Sequence, residues 1–491
     1  MATLCPGLAW GGGDSAKFAI WVHTLHLGYG LCDHPLYIVA AKLFSSCLPS
    51  NLSLTYKLNI FSAVCASLTL TILCRLASIS TDSLTAGITA ASAFMVSHTF
   101  WMHAVLTEVY TLHTLLLTAM LYALCRWHKS PHDRWLLAAS FLFGLGISNH
   151  ALIVLCLPGC VFFVAGQWVR RKRTLSVRLL LLISFWCLFG ASLIEALVLK
   201  ECFHHGSLEQ CKTVFASIFG SGVITELRPS ISKTFLTIGY LGYQFPIIGI
   251  ILGVIGIHSM VFKLRDAYPL MLVTLLGIYI LFPICYKVRD HYQFAISAYL
   301  CFALCIAFGI KALYQRFMSS PVGPLLSPWI LICSIVMLPC FVYYGTAAVC
   351  DRWNIDIAQA RSIPYRNNNW YFLWPPKNGD NSASRYAQET LAIVESNALI
   401  VGDYTPIMVL RYYQLVEGKR PDVMTAIGMV GEQLRIIREN LCSRPVYVAT
   451  IETKPSLIGT NMYLSYQHLD DFMITAAPPV FKISLKTNSS F

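Results

Sequence analysis

The sequence predicts a mainly α-helical, polytopic membrane protein with about ten transmembrane helices, followed by a small α/β domain outside the membrane. The 491-residue chain has a mean hydropathy of +0.60, and only 12% of its residues are charged. Soluble domains contain roughly 25% charged residues. Apolar stretches of about 17 to 25 residues, long enough for a helix to cross a bilayer, recur through residues 1–350. Residues 351–491 have ordinary charge density and short alternating patterns instead.

The apolar stretches are mostly separated by polar or basic connections, so about ten transmembrane helices are predicted, with residues 135–168 forming either two short helices or one bent one. They begin near Leu54, Ser83, Leu106, Trp135, Ala151, Leu179, Thr234, Ala267, Tyr292 and Leu326.

The basic residues between these stretches predict the orientation, because short cytoplasmic loops are enriched in Lys and Arg. They occupy alternate connections, at Arg126, Lys129, Arg134, Arg170, Arg171, Lys172, Arg173, Arg178, Lys263, Arg265, Lys311 and Arg316. We therefore expect the other connections, and everything after Val349, on the periplasmic side of a bacterial cytoplasmic membrane or in the endoplasmic-reticulum lumen. The same bias accounts for the net charge of +12 without nucleic acid as a partner.

The C-terminal region is predicted to be a separate α/β domain over residues 351–491, with the membrane domain over residues 1–350. Short apolar patterns predict strands and amphipathic patterns predict helices. The strands are expected at 397–401, 423–427 and 446–451, and the helices at 405–417 and 432–440.

Several polar residues lie where a bilayer makes them costly, and all of them fall on the predicted outer side. They are Asp14, Ser15, His34, His103, Glu108, Tyr110, Asn149 and His150. Each also has a structural interpretation: Asp14 or Ser15 can cap the helix that follows, and Glu108 can be a first-turn acid favoured by the helix dipole. Their common side favours a functional site, in which the glycines before Asp14 leave room for a ligand.

A group of cations lies between two apolar stretches, on the side where cations are not expected. It comprises Lys287, Arg289 and His291. Such a group at the rim of a bilayer indicates an anion site, and the planar guanidinium of Arg289 suits a phosphate group. A carboxylate beside this site could act as general base towards an acceptor hydroxyl, while the cations stabilise a departing lipid-linked phosphate.

Short polar motifs follow one another in a characteristic order along most of the chain. They are Pro6-Gly7, Gly12-Gly13-Asp14-Ser15, His34-Pro35-Leu36-Tyr37, Lys57 with Asn59, Glu108-Val109-Tyr110, Asn149-His150, Pro158-Gly159, Gly402-Asp403, Tyr412 to Gly418 and Arg420 to Val423. In this order the chain resembles glycosyltransferase family 117, a group of GT-C membrane glycosyltransferases. That group includes an endoplasmic-reticulum protein O-mannosyltransferase and many bacterial members.

The resemblance implies a GT-C-like membrane domain and an inverting transfer of a sugar, with mannose as the first candidate, from a polyprenyl- or dolichyl-phosphate donor. The acceptor would be a hydroxyl of a protein, at Ser or Thr, or of a glycan. Asp14 maps onto the catalytic acid of the first outer loop, and Glu108 onto the acid of the second. From its position, Lys17 could join the cations that bind the donor phosphate, and a lysine that extends to the lipid headgroups explains it equally well. The family's first membrane helix normally precedes the Gly-Asp-Ser motif, and only its final residues are recognisable here.

Other function classes remain open at the level of the sequence. A transporter or flippase could also use intramembrane His, Arg and Glu residues, although the two symmetric halves typical of many transporters are not recognisable. A catalytically degenerate membrane scaffold would keep the C-terminal domain for binding partners. No metal ligand cluster is recognisable, so no metal and no cofactor besides the donor is expected. Cys202 and Cys211 could form a disulfide in an oxidising outer loop.

Overall fold

The structure, a computed structural model, describes nearly all of the chain. It covers residues 2–30, 33–171, 176–205, 227–264, 266–286, 291–317, 328–355, 362–452 and 464–486.

Helices dominate the first 355 residues. They are α1 (Asp14–Thr24), α2 (Pro35–Ser46), α3 (Leu54–Thr81), α4 (Leu84–Met95), α5 (His98–Ala104), α6 (Tyr110–Lys129), α7 (Asp133–Asn149), α8 (Leu157–Arg170), α9 (Val177–His205), α10 (Ile231–Gln244), α11 (Ile248–His258), α12 (Ala267–Cys285), α13 (His291–Phe294), α14 (Ile296–Phe317) and α15 (Pro328–Arg352). A short 3-10 helix, Ala151–Cys156, leads into α8.

By length and composition, six helices of the described chain can cross a membrane, or seven if the bent pair α10 and Ile248–Leu264 counts as one span. Fewer helices meet these criteria than the ten predicted stretches, for local reasons. The stretch from Ser83 breaks after Met95 into α4 and the seven-residue α5. The helix α7 has only 17 residues, and polar side chains such as His113 and Arg126 interrupt α6.

The membrane helices separate two polar ends. The 28-residue α3 would be about 42 Å long at roughly 1.5 Å per residue. Near its start, Asn59 donates hydrogen bonds to the Cys5 and Gly7 carbonyls. Just beyond its end, Asp82 lies 3.4 Å from Lys129 and 3.8 Å from Lys311. Lys129 and Lys311, two of the basic residues predicted to be cytoplasmic, therefore lie at the end opposite the N-terminal segment.

Glycines allow close helix contacts in the membrane region. A Cβ atom on Gly256 of α11 would lie 1.8 Å from the Cys305 carbonyl oxygen of α14. Because the obstacle is backbone, it cannot move aside as a flexible side chain would. Close backbone approach through small residues is a common means of packing helices in lipid.

We expect Gly256→Ala to lower the midpoint of thermal unfolding, because the two helices must separate to admit the methyl group. Overpacking costs about 1–3 kcal/mol, more than the roughly 1 kcal/mol that alanine gains in helix propensity. Differential scanning fluorimetry of the purified protein measures the midpoint. Gly277→Ala in α12 is the matched control, since a Cβ atom there would meet nothing within 4 Å. Equal midpoints for the two variants would contradict the close contact.

The C-terminal region is a small α/β domain, as predicted. Its helices are α16 (Asn368–Leu373), α17 (Ser382–Ile393), α18 (Tyr404–Leu415) and α19 (Val430–Asn440), and its strands are β1 (Leu399–Gly402), β2 (Met424–Ile427), β3 (Val446–Val448), β4 (Ile451–Glu452), β5 (Leu464–Ser465), β6 (Phe472–Ala477) and β7 (Val480–Leu485). The five-stranded sheet has the order β2-β1-β3-β7-β6. The strand β1 pairs in parallel with β2 and β3, whereas β7 is antiparallel to β3 and β6.

The three predicted strands and two predicted helices of this domain all form. The antiparallel pair β6 and β7 and the helices α16 and α17 were not predicted. The boundary at residue 350 stays a prediction, and α15 ends at Arg352.

Residues 2–13, which we call the N-terminal segment, pack between the membrane helices and the C-terminal domain. The Cys5 amide donates to the Val105 carbonyl on the membrane side. On the other side, the Lys377 amide donates to the Thr3 carbonyl, and the buried Trp10 indole donates to the Ser382 hydroxyl. Contacts with both regions therefore hold the segment in place.

Candidate functional site

The glycine-rich loop ends in a tight turn that presents Asp14 at the start of α1. Gly11–Gly13 form one 3-10 turn, and all three glycines have positive φ. The Gly13 amide donates to the Trp10 carbonyl at 2.6 Å. The Gly11 amide donates to the Tyr371 hydroxyl at 2.9 Å, so the C-terminal domain also holds this loop. The loop before Asp14 is thus held both by its own turn and by the C-terminal domain.

The Asp14 carboxylate receives two donors on the same oxygen. Lys17 Nζ lies 3.1 Å from Oδ1, and the Tyr404 hydroxyl donates to Oδ1 at 3.1 Å. The other oxygen, Oδ2, has no hydrogen-bond donor among the residues that the structure describes. The side chain is 45% exposed, so a second reactant can reach the carboxylate. Lys17 also lies over the rings of Phe18 and Trp21.

The second outer loop lies directly against the first. Ser15 is fully buried, and its hydroxyl donates to the Thr107 carbonyl at 3.0 Å. Thr107 in turn donates to the Asn59 side chain at 2.7 Å. The buried Glu108 lies close by, since its Oε1 is 3.6 Å from the position that a Cβ atom would take on Gly11. The structure therefore brings the two predicted acids to one place, and Ser15 joins their loops.

A row of aromatic rings extends from this place. The His34 ring lies 5.0 Å from His150, which lies 5.2 Å from Tyr110, which lies 4.6 Å from His103. His34 Nδ1 donates to the Asn149 carbonyl at 2.6 Å, and burial lowers the pKa of His34 to about 4. All five residues were predicted for the site, and the structure places them side by side.

Hydrogen bonds indicate which of these rings are already paired. His150 Nδ1 accepts a bond from the Leu152 amide, which leaves its proton on Nε2. Neither ring nitrogen of His103 has a hydrogen-bond partner within the described parts of the chain, although the ring is buried. Buried polar groups are nearly always paired in native proteins, so His103 is a group that a polar ligand could satisfy.

Three residues of the site were not among the predicted site residues. The centre of the His113 ring lies 5.6 Å from that of His150, and His113 Nε2 lies 2.8 Å from the Ser297 hydroxyl oxygen. Its position three residues after Tyr110 on α6 was a usable signal, because such residues share a helix face. Tyr371 and Tyr404 come from the C-terminal domain, and no local pattern connects them with Asp14.

The cations predicted to bind phosphate lie only partly within the described residues. Lys287 and Arg289 lie outside the described residues, so their place in the site stays a prediction. His291 begins α13, and Phe294 at the end of that helix lies 6.3 Å from Tyr110 and 6.4 Å from His150. The helix that follows the predicted cations therefore contacts the ring row.

Two further predictions concern a metal site and a disulfide bond. Among the described residues, no three His, Cys, Asp or Glu side chains form a group that could hold a metal ion. Cys211 lies outside the described residues, so its pairing with Cys202 stays a prediction.

The chain is similar to known proteins in part of its sequence and in its fold. Residues 14–175 match the family model described as "Protein O-mannosyl-transferase TMEM260 N-terminal domain". A search of curated proteins finds no match.

Among solved structures, ArnT from Cupriavidus metallidurans bound to undecaprenyl phosphate matches with a TM-score of 0.56 at 10% identity, over 99% of this chain and 95% of that one. The same enzyme in the apo state matches with a TM-score of 0.50 at 12% identity, over 91% and 89%. At these identities the likeness is one of fold.

The sequence match starts at Asp14 itself, and the fold match extends over nearly the whole chain. Together they support the predicted resemblance: residues 14–175 are similar to the N-terminal domain of a protein O-mannosyltransferase, and the fold is similar to that of ArnT.

Proposed function

We propose that the protein transfers a sugar, with mannose as the first candidate, from a polyprenyl- or dolichyl-phosphate donor to a hydroxyl group. The acceptor is a Ser or Thr side chain of a protein, and the reaction inverts the configuration at the sugar C1. No further cofactor or metal takes part. The observation that carries the proposal is the meeting of Asp14, Glu108 and the histidine row at one end of the membrane helices.

Asp14 is the proposed general base. Its Oδ2 takes the proton of the acceptor hydroxyl while the acceptor oxygen attacks C1 of the sugar. The bond between C1 and the phosphate oxygen breaks, and its electron pair leaves with the lipid phosphate. Attack on the face opposite the phosphate gives inversion. The partial exposure of Asp14 leaves room for an acceptor side chain.

Cations and polar rings are proposed to bind the donor. Lys287, Arg289 and His291 would stabilise the charge that develops on the departing phosphate. Lys17, 3.1 Å from Asp14, neutralises the carboxylate in the free protein and can contact the phosphate once the donor is bound. His103, whose nitrogens lack partners among the described residues, would bind sugar hydroxyls.

The lipid character of the donor has two supports. The site lies at the ends of membrane helices, where a long apolar tail stays in the bilayer while its phosphate reaches the cations. The structurally similar ArnT was solved with undecaprenyl phosphate.

The test is a transfer assay with the full chain in nanodiscs. Radiolabelled polyprenyl-phosphate-mannose and a Ser/Thr-rich peptide serve as substrates, and polyprenyl-phosphate glucose and arabinose test the choice of sugar. Labelled peptide with inverted anomeric configuration by NMR, unaffected by EDTA, is the expected result. A well-folded chain that transfers no sugar to any acceptor would contradict the proposal and favour a scaffold. Movement of intact donor across a liposome membrane would favour a flippase.

The proposed side of the membrane has its own test. Cys442 is exposed in the C-terminal domain. We expect a membrane-impermeant maleimide to label it from the lumenal or periplasmic side of sealed vesicles, because the domain contacts the loop that carries Asp14. Labelling that disappears in Cys442→Ser identifies the residue, and Lys129→Cys reports the opposite end. Labelling of Cys442 from the cytoplasmic side alone would reverse the proposed orientation.

A further inference from the structure

We propose that Tyr404 of the C-terminal domain is a positioning residue of the transfer reaction, which orients the Asp14 carboxylate through its hydroxyl. This inference rests on the proposed function, because it assigns Tyr404 a task in the chemistry of Asp14. It makes the C-terminal domain a part of the reaction centre.

The local fold fixes the place of Tyr404. The strand β1 ends at Gly402, Asp403 is buried in the turn, and Tyr404 is the first residue of α18. Side chains at such a strand-to-helix turn have little freedom, because a buried strand and a helix hold both ends. The backbone that carries the ring is therefore held on both sides, by β1 and by α18.

The contact between Tyr404 and the glycine-rich loop is close. A Cβ atom on Gly13 would lie 2.8 Å from two carbon atoms of the Tyr404 ring. The neighbouring Thr405 hydroxyl donates to the Gly12 carbonyl at 2.9 Å. The ring thus packs against the loop backbone. In this position its hydroxyl donates to Asp14 Oδ1.

The Tyr404 hydroxyl is suited to act as a donor. Burial, and then the Asp14 carboxylate, raise the pKa of Tyr404 above its usual value, so the hydroxyl keeps its proton. A neutral donor can orient the carboxylate without accepting the proton that the reaction releases.

Two donors on one oxygen have a directional effect. Tyr404 and Lys17 both contact Oδ1, from different elements of the fold. Rotation of the carboxylate would break both contacts, so Oδ2 stays directed towards the acceptor. When Lys17 turns to the donor phosphate, Tyr404 alone keeps this orientation.

The kinetic test compares Tyr404→Phe with Thr405→Val in the nanodisc assay. We expect Tyr404→Phe to lower kcat about 10- to 100-fold, the effect of losing a hydrogen bond to a charged group, with KM for the lipid donor unchanged. Thr405→Val loses a hydrogen bond of the same turn to the same loop without touching the carboxylate. Its kcat should stay within about twofold of wild type.

A double-mutant cycle supplies a readout that does not depend on activity. Thermal unfolding is measured for wild type, Asp14→Ala, Tyr404→Phe and the double variant. We expect Tyr404→Phe to lower the midpoint in the wild-type background and to have no further effect beside Asp14→Ala, because the two residues act as a pair. Additive shifts would overturn the pairing.

The outcomes separate the two proposals. If wild type transfers sugar and Tyr404→Phe has the same kcat, the inference is wrong and the proposed function stands. If both Tyr404→Phe and Thr405→Val lose activity equally, Tyr404 serves only to dock the domain, and the inference is again wrong. If wild type transfers no sugar, the proposed function fails, and the inference fails with it.

Discussion

Asp14→Asn should abolish sugar transfer while leaving the fold intact. The amide keeps the shape of the carboxylate and can still accept the Tyr404 hydroxyl, so the domain contact survives. It cannot take the proton of the acceptor hydroxyl. General-base catalysis contributes about 10²- to 10⁴-fold, and kcat should fall by that amount. The measurement is single-turnover transfer from polyprenyl-phosphate-mannose, with size-exclusion chromatography to establish folding.

The matched control for this variant is Asp33→Asn. Asp33 directly precedes His34 in the sequence, but its Oδ2 accepts a hydrogen bond from the Gly30 amide within its own turn. We expect near-normal transfer from it. An active Asp14→Asn protein would exclude Asp14 as the base, and Glu108→Gln would then be the next variant to assay.

Gly13→Ala should cause the second large loss of transfer. Gly13 has φ +99°, a backbone conformation that strains any L-residue, and an added methyl group would lie 2.8 Å from the Tyr404 ring. The ring can yield only if the turn before α18 moves away. Tyr404 would then leave Asp14, and kcat should fall at least about 10-fold, as for a lost charge-assisted hydrogen bond. Steady-state transfer kinetics measure this change.

Gly12→Ala is the control that separates backbone strain from the contact with the Tyr404 ring. Gly12 also has positive φ, at +63°, but a Cβ atom there would meet nothing within 4 Å. This variant carries about 1–2 kcal/mol of backbone strain without displacing Tyr404. Its kcat should therefore exceed that of Gly13→Ala. Equal losses in the two variants would show that strain alone, and not the Tyr404 contact, limits transfer.

Much of the candidate site could be predicted because its residues are costly in a membrane. Glu108 and His103 are hard to explain inside apolar sequence unless they are paired or used, and the alternation of basic loops assigned them to one side. The structure places Glu108 against the loop that carries Asp14, and His103 in the ring row with His34 and His150. The sequence left open whether Ser15 caps the helix that follows or belongs to the site. The structure shows that its hydroxyl donates to the second outer loop.

The rest depended on contacts between distant parts of the chain. Tyr404 is 390 residues from Asp14, and nothing near either residue indicates the other. The break after Met95 was missed because apolar residues continue on both sides of it, and hydropathy does not detect a change of helix direction. The strand β7 was missed although Phe481 to Leu485 alternate between apolar and polar residues, which was a usable strand signal. The strand β6 lacks this alternation and forms by pairing with β7.

The N-terminal segment has a consequence for how the protein is made. Trp10 pairs with a serine 372 residues later in the chain, and Thr3 and Gly11 bind residues of the same late region. At about 5–20 residues per second, a ribosome needs roughly 20 to 75 seconds to reach those partners. The residues that surround the loop carrying Asp14 are therefore complete only late in translation. A chain still attached to the ribosome has its membrane helices but not yet a finished reaction centre.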